Sequence, residues 1–232
     1  MTVSKAFMTG LAIALAVLAS TPMRVDVRSA DGFVLKGSYF SPRTAGPAIV
    51  LYHQCDSDRH VWDRLAADLM HAGFHVLTFD SRGYGESQGG GRPTKQKFLS
   101  DIDAAYNWLA AQPAVDKQRI AAGGGSCGVD AASTIAGIHH EVRILLLLSG
   151  ALFYQATRYL GATADVAIFA ASGRGDPGAG NALAVARASK NPRSVAKEYA
   201  DAAHGVRLFA AHSELEPAIV DWLSGVTQNS KE

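Results

Sequence analysis

The chain has almost no surplus charge: 22 Lys and Arg face 21 Asp and Glu along 232 residues. Proteins that hold nucleic acid neutralise phosphates with a basic face, and no such surplus exists here, nor any block of like charge forming a tail. Cysteine is equally scarce, with only Cys55 and Cys127. A chain of this length with 48% hydrophobic residues buries a full core as one domain, without a disulfide framework or a structural metal. The composition favours a small-molecule partner.

Long apolar runs are also lacking. The longest stretch near the start, AFMTGLAIALAVLA after Lys5, covers about 14 residues and falls short of the roughly 20 that a spanning helix needs. Its basic beginning, apolar centre, small Val17 and Ala19, and the break at Ser20, Thr21 and Pro22 match a secretory leader. Residues 1–19 are therefore expected to be a signal peptide, and residues 20–232 a single exported domain, periplasmic or secreted. N-terminal membrane anchoring is the alternative, and a first helix of the fold is the plainer reading.

The rest of the chain is organised by its hydrophobic periods. From Met23, RVDVRSADGFVLKGSYF alternates apolar and polar residues around Asp31 and Gly32, which predicts an antiparallel hairpin with one wet face. After Pro47, AIVLYH and FHVLTFD are continuous apolar runs, and the later strands RIAAGG, VRILLLLS, DVAIFAAS and SVAKEYA continue their alternation with helical segments. Strands of that kind are buried on both faces, so the fold class is α/β, a doubly wound, mostly parallel sheet behind an N-terminal antiparallel hairpin. Gly89 to Gly91 read as a flexible surface loop rather than a domain linker. Between VRILLLLSG and DVAIFAAS lies only ALFYQATRYLGATA, which leaves no room for a separate cap domain.

One stretch, AAGGGSCGVDAA from Ala121 to Ala132, supports two readings. Gly123, Gly125 and Gly128 spell the G-x-G-x-x-G of a dinucleotide site, whereas Gly124, Ser126 and Gly128 spell the G-x-S-x-G of a serine nucleophile. The first needs an acidic residue about 20 positions on, at the end of the next strand. Leu147, Leu148, Ser149 and Gly150 stand there instead. The second needs an acid and then a histidine after later strands. Asp176 follows DVAIFAAS and His204 follows SVAKEYA, both in loops at carboxyl ends of strands. The chemistry joins these residue types: His204 would take the proton of the poorly nucleophilic Ser126 hydroxyl, and Asp176 would hold the imidazole tautomer and stabilise its charge. No organic cofactor or metal is required.

With these residues in view, the sequence resembles the α/β-hydrolase family over roughly Met23 to Val226, and is similar to its capless esterases and dienelactone hydrolases. FDSRGYGES from Phe79 to Ser87 matches the family's D-x-R-G-x-G-x-S loop, and LYHQC from Leu51 to Cys55 its H-G-x segment. The resemblance implies that the backbone N–H groups of Cys55 and Cys127 form the oxyanion hole, with Gln54 N–H as an alternative donor. Gln54 replaces the family's usual glycine, and would be strained if a positive φ were required. The same carry-over puts a cysteine at each oxyanion position, which raises a disulfide between them, with two small buried thiols as the alternative. Cys127 as nucleophile is set aside because it stands one position late.

Other residues carry plainer readings. His139 and His140 suggest a metal pair, but neighbours in a helix point about 100° apart. His53 braces the oxyanion segment; His60, His71, His75 and His212 are surface or packing residues; Asp165 and Asp201 are less suitable acids than Asp176. Trp62, Tyr84, Phe153 and Tyr154 could wall a small acyl pocket. The expected activity is hydrolysis of a carboxylic ester of a small or exposed substrate through an acyl-enzyme. An acyltransferase or peptidase using the same three residues, and a non-catalytic binding domain, remain open.

Overall fold

The structure is a computed structural model that describes residues 21–89, 91 and 93–228, and of Tyr154 the backbone alone. The leader expected over residues 1–19 lies outside the described residues. Strands β1 (Met23–Arg28) and β2 (Val34–Phe40) form the antiparallel hairpin, in register from Met23 opposite Tyr39 to Arg28 opposite Val34. Gly32 takes the positive φ, 82°, in its turn. Strand β2 then pairs antiparallel with β4 (His75–Phe79). All remaining pairings, through β3 (Gly46–Tyr52), β5 (Val115–Gly125), β6 (Ile144–Leu148), β7 (Ala167–Gly173) and β8 (Val195–Tyr199), are parallel. The eight strands lie in the order β1-β2-β4-β3-β5-β6-β7-β8.

Helices cover both faces, which is why β3, β4, β6 and β7 are buried almost throughout, whereas β8 at the sheet edge carries Lys197 and Glu198 and is only partly buried. In β6, Leu145 and Leu147 point into one core with α2 (Lys95–Ala110), α3 (Cys127–Ile138), α4 (Tyr154–Ala162) and α5 (Ala182–Ala188). Ile144, Leu146 and Leu148 point into the other, with α1 (Asp63–His71), α6 (Leu208–Ala211) and α7 (Leu215–Gln228). Each such side chain fully removed from water stabilises the fold by roughly 1.5–3 kcal/mol. The connection from β6 to β7 holds α4 alone, so no cap domain stands over the sheet edge among the described residues.

Two boundaries differ from expectation. Strand β5 begins at Val115, four residues before the apolar run, because Val115 pairs with Gly46 across an irregularity in register. Its polar residues Asp116 to Arg119 lie in that irregular stretch, where alternation gives no signal. Helix α5, Ala182–Ala188, is shorter than the helical segment AGNALAVARASK, which runs from Ala179 to Lys190. The amide N–H of Asn191 bonds the Ser189 hydroxyl in the turn that follows.

Candidate active site

Strands β3 and β5 are neighbours, yet the chain leaves them in opposite directions along the sheet, toward β4 on one side and β6 to β8 on the other. Open α/β sheets form their crevices at such a reversal, outside the carboxyl ends of the strands. Cys55 follows β3 there and Ser126 follows β5.

Ser126 occupies a backbone conformation that side chains rarely adopt, φ 53° and ψ −119°. Such strain costs of order 1–3 kcal/mol and persists only where the surroundings fix it. Here Ser126 N–H donates to the Leu148 carbonyl at 2.9 Å, and its own carbonyl accepts from Val129 N–H at 3.0 Å. The flanking glycines are steric requirements. A Cβ on Gly124 would lie 2.0 Å from the Gly128 carbonyl oxygen, and one on Gly128 would lie 2.2 Å from that of Tyr52. The turn therefore closes only with glycine at both positions, and the Ser126 hydroxyl, which does not cap α3, is left free.

That hydroxyl meets His204 Nε2 at 2.7 Å, and His204 Nδ1 meets Asp176 Oδ2 at 2.8 Å. An ionised carboxylate only accepts, so Nδ1 carries the proton and Nε2 is the acceptor facing the Ser126 hydroxyl. Asp176 Oδ1 accepts from Gly178 N–H at 2.8 Å, which fixes the carboxylate plane. The loops carrying acid and histidine are tied together by Gly175 N–H donating to the Asp201 carbonyl at 2.8 Å. The Asp176 side chain is 2% exposed and that of His204 23%: the acid is sealed and the imidazole reachable.

Cys55 and Cys127 are joined by a disulfide, with Cα atoms 5.8 Å apart, and both are exposed at the carboxyl edge. They are thus neither free thiols nor buried space-fillers. Cys127 opens α3, so its N–H lacks an intrahelical partner and sits at the positive end of the helix dipole. An oxygen above Ser126 would meet this positive end.

The segment before Cys55 is held from several sides. Ser81 N–H donates to His53 Nε2 at 2.9 Å, which leaves the proton on Nδ1 to donate to the Gln54 carbonyl at 2.7 Å. Burial pushes the His53 pKa down and keeps this tautomer neutral. The feared strain at Gln54 does not arise, since Ser126 and Ser149 are the only non-glycine described residues with positive φ. Ser81 belongs to a loop fixed by buried charge. Asp80 accepts from Arg59 N–H at 2.8 Å and Glu86 N–H at 2.7 Å, and pairs with the Arg59 guanidinium. Arg82 reaches Asp101 at 2.7 Å and Asp31 at 2.8 Å.

The residues set aside have other partners. Asp201 accepts from Ala203 N–H and pairs with His212, and Asp165 is exposed away from His204. His139 pairs with Asp103 while His140 stacks on Tyr159, so the adjacent pair diverges. His60 pairs with Asp63, and His75 is buried between the Tyr39 hydroxyl and the Thr44 carbonyl. Trp62 corrects the expected acyl wall: it is fully buried and packs edge-on against Phe209, inside the core behind Gly125. Tyr84 packs against His53, whereas Phe153 is 67% exposed. Sequence reasoning missed the side-chain role of Gln54, whose partner is 152 residues away. No local pattern could have signalled it.

A family model described as serine aminopeptidase, S33, matches residues 43–212. The chain belongs to this α/β-hydrolase family. An uncharacterized protein of Mycobacterium tuberculosis is 41% identical over 115 residues, covering 48% of this chain and 40% of the relative. A thiohydrolase of Arthrinium phaeospermum is 33% identical over 138 residues, covering 53% and 41%. The chain thus spans about two fifths of the curated relatives it matches. An esterase of Pyrococcus furiosus superposes with TM-score 0.72 at 18% identity, covering 89% of this chain and 91% of that one. An esterase of Pyrobaculum calidifontis gives 0.69 at 16% identity, covering 88% and 85%. At these identities the structures speak for the fold. No helix among the described residues of this family member is long and apolar enough to cross a membrane.

Proposed function

We propose that this hydrolase cleaves a carboxylic ester of a small or exposed substrate through a covalent acyl-enzyme. The observation that carries the reading is His204 standing between Ser126 at 2.7 Å and Asp176 at 2.8 Å, with Ser126 on a strained turn. His204 takes the Ser126 proton as the hydroxyl oxygen attacks the carbonyl carbon. The tetrahedral oxyanion receives hydrogen bonds from Cys127 N–H, at the start of α3, and from Cys55 N–H. As it collapses, the protonated imidazole hands its proton to the departing alkoxide. A water then attacks the acyl-serine as His204 takes its proton, and on collapse the imidazolium returns that proton to the departing Ser126 oxygen, which releases the acid and restores the serine.

A fluorophosphonate probe tests the mechanism: it should label wild-type protein at Ser126 and fail on Ser126→Ala. Absence of labelling on folded wild type favours a binding domain. A panel of p-nitrophenyl esters from acetate to long acyl chains tests the substrate, and short chains should give the highest kcat/KM because no cap supports a long one. Thioesters are the second reading, favoured by the thiohydrolase relative. Matched ester and thioester substrates of one acyl group separate the two. Export is proposed as well, supported by the Cys55–Cys127 disulfide, which persists in oxidising compartments. Fractionation of cells expressing the full chain tests it.

A further inference from the structure

The turn after His204 is a short 3₁₀ turn, Gly205–Arg207, for which His204 stands at the capping position. A residue in that position ordinarily accepts hydrogen bonds from the turn's free N–H groups. His204 does not, because its ring nitrogens already face Asp176 and Ser126. The free donor is satisfied from across the crevice. Gln54 Oε1 accepts from Val206 N–H at 3.1 Å, while Gln54 Nε2 donates to Asp56 Oδ1 at 2.6 Å. Asp56 in turn pairs with Arg207, the last residue of the turn.

The fit is close. Gln54 is 3% exposed, and a Cβ on Gly205, whose φ is 57°, would lie 2.4 Å from Gln54 Oε1. Gln54 immediately precedes Cys55, whose amide the proposed mechanism uses as an oxyanion donor. One buried side chain therefore links the segment that would stabilise the oxyanion to the turn that carries the base. We propose that Gln54 is a positioning residue that holds His204 in line with Ser126 and in register with the Cys55 amide; this rests on the serine-hydrolase reading. The Gln54 side chain bonds Val206 and Asp56 rather than Ser126, His204 or Asp176. Its loss therefore should slow the chemical step without weakening substrate binding, because the misplacement is felt where His204 must move a proton.

The test compares wild type, Gln54→Met and the double variant Gln54→Glu with Asp56→Asn. Methionine keeps the length and loses both hydrogen bonds. The double variant keeps an acceptor for Val206 N–H and reverses donor and acceptor between positions 54 and 56. With a short p-nitrophenyl ester, Gln54→Met should lose about 10- to 100-fold in kcat while KM stays within about twofold. Its fluorophosphonate labelling should slow in parallel, and the double variant should recover most of the loss. Equal kcat in wild type and folded Gln54→Met overturns the proposal, as does a loss confined to KM. If Gln54→Met does not fold, the double variant decides alone: kcat reduced about 100-fold or more at intact fold, despite the restored acceptor, overturns it. A wild type that neither labels nor turns over is the distinct result, and removes the hydrolase reading itself.

Discussion

Cys55 and Cys127, 72 residues apart in sequence, are bonded to each other at the two positions whose amides are proposed to hold the oxyanion. The bond clips the segment after β3 to the first residue of α3. Closing a loop of that length removes unfolded-state entropy worth roughly 4.4 kcal/mol. Because both cysteines are exposed, a small dithiol reaches them without unfolding the core. Denatured, unreduced protein should therefore show no free thiols, and reduced protein should show two. Reduction, or Cys55→Ser with Cys127→Ser, should lower Tm by roughly 9–18 °C and reduce kcat several-fold. Two thiols before reduction, or an unchanged Tm after it, contradicts the clip.

Substitutions at Ser126, His204 and Asp176 should be strongly non-additive, because in the proposed mechanism the three act as one unit. Ser126→Ala or His204→Ala should each lower kcat by about 10⁴-fold or more, and the double variant hardly further. Asp176→Asn should cost about 10³- to 10⁴-fold, since an amide donates toward Nδ1 and forces the wrong tautomer on His204. A multiplicative loss in the double variant, measured by ester turnover, indicates that serine and histidine act independently.

Most of the scaffold was legible because its signals are local. The apolar runs of β3, β4, β6 and β7 are nearly continuous as the helices cover both sheet faces, while β5 near its start and β8 near its end carry polar residues, and the order Ser126, Asp176, His204 follows the strand ends. The bonds that tune the site were not legible. Gln54 meets Val206 across 152 positions, and Arg82 meets Asp31 across 51 and Asp101 across 19; no periodicity encodes such pairs. Trp62 misled for a related reason. A loop-adjacent aromatic reads as a pocket wall, but the short helix from Arg59 to Trp62 turns it inward against Phe209. Gln54 was visible as a departure from the family's glycine, and only its side-chain geometry shows how the residue is accommodated.

The His53 contact makes stability fall toward acid pH. Its Nε2 must accept from Ser81 N–H, so protonation would set two donors against each other. Burial places the folded-state pKa below the ordinary 6.5, whereas the unfolded chain titrates near that value. The unfolded state thus binds the extra proton first. This contribution to stability is complete above about pH 6.5 and is lost progressively as pH falls toward the folded-state pKa. Thermal unfolding between pH 5 and 8 should show a shallower acid decline in His53→Asn than in wild type, with a lower Tm at pH 7. Parallel declines would remove His53 as the cause.

Arg59 and Asp80 test how firmly the loop beneath His53 is held. Both side chains are out of water, 3% and 0% exposed; Arg59 also reaches Glu86 at 2.7 Å, whereas Arg59 is the only cation paired with Asp80 among the described residues. Removing one partner from such a pair leaves a buried, uncompensated charge and costs about 3–5 kcal/mol. Arg59→Met should reach that range in urea unfolding. Asp80 would keep its bonds from the Arg59 and Glu86 amides but lose its counter-charge. Adding Asp80→Asn should recover part of the loss, because the neutral amide can still accept from one of those N–H groups. If Arg59→Met costs less than about 1 kcal/mol, water or Arg24, which already reaches Glu86 at 2.5 Å, compensates the charge. The Ser81 amide under His53 would then be held by hydrogen bonds alone rather than by a buried ion pair.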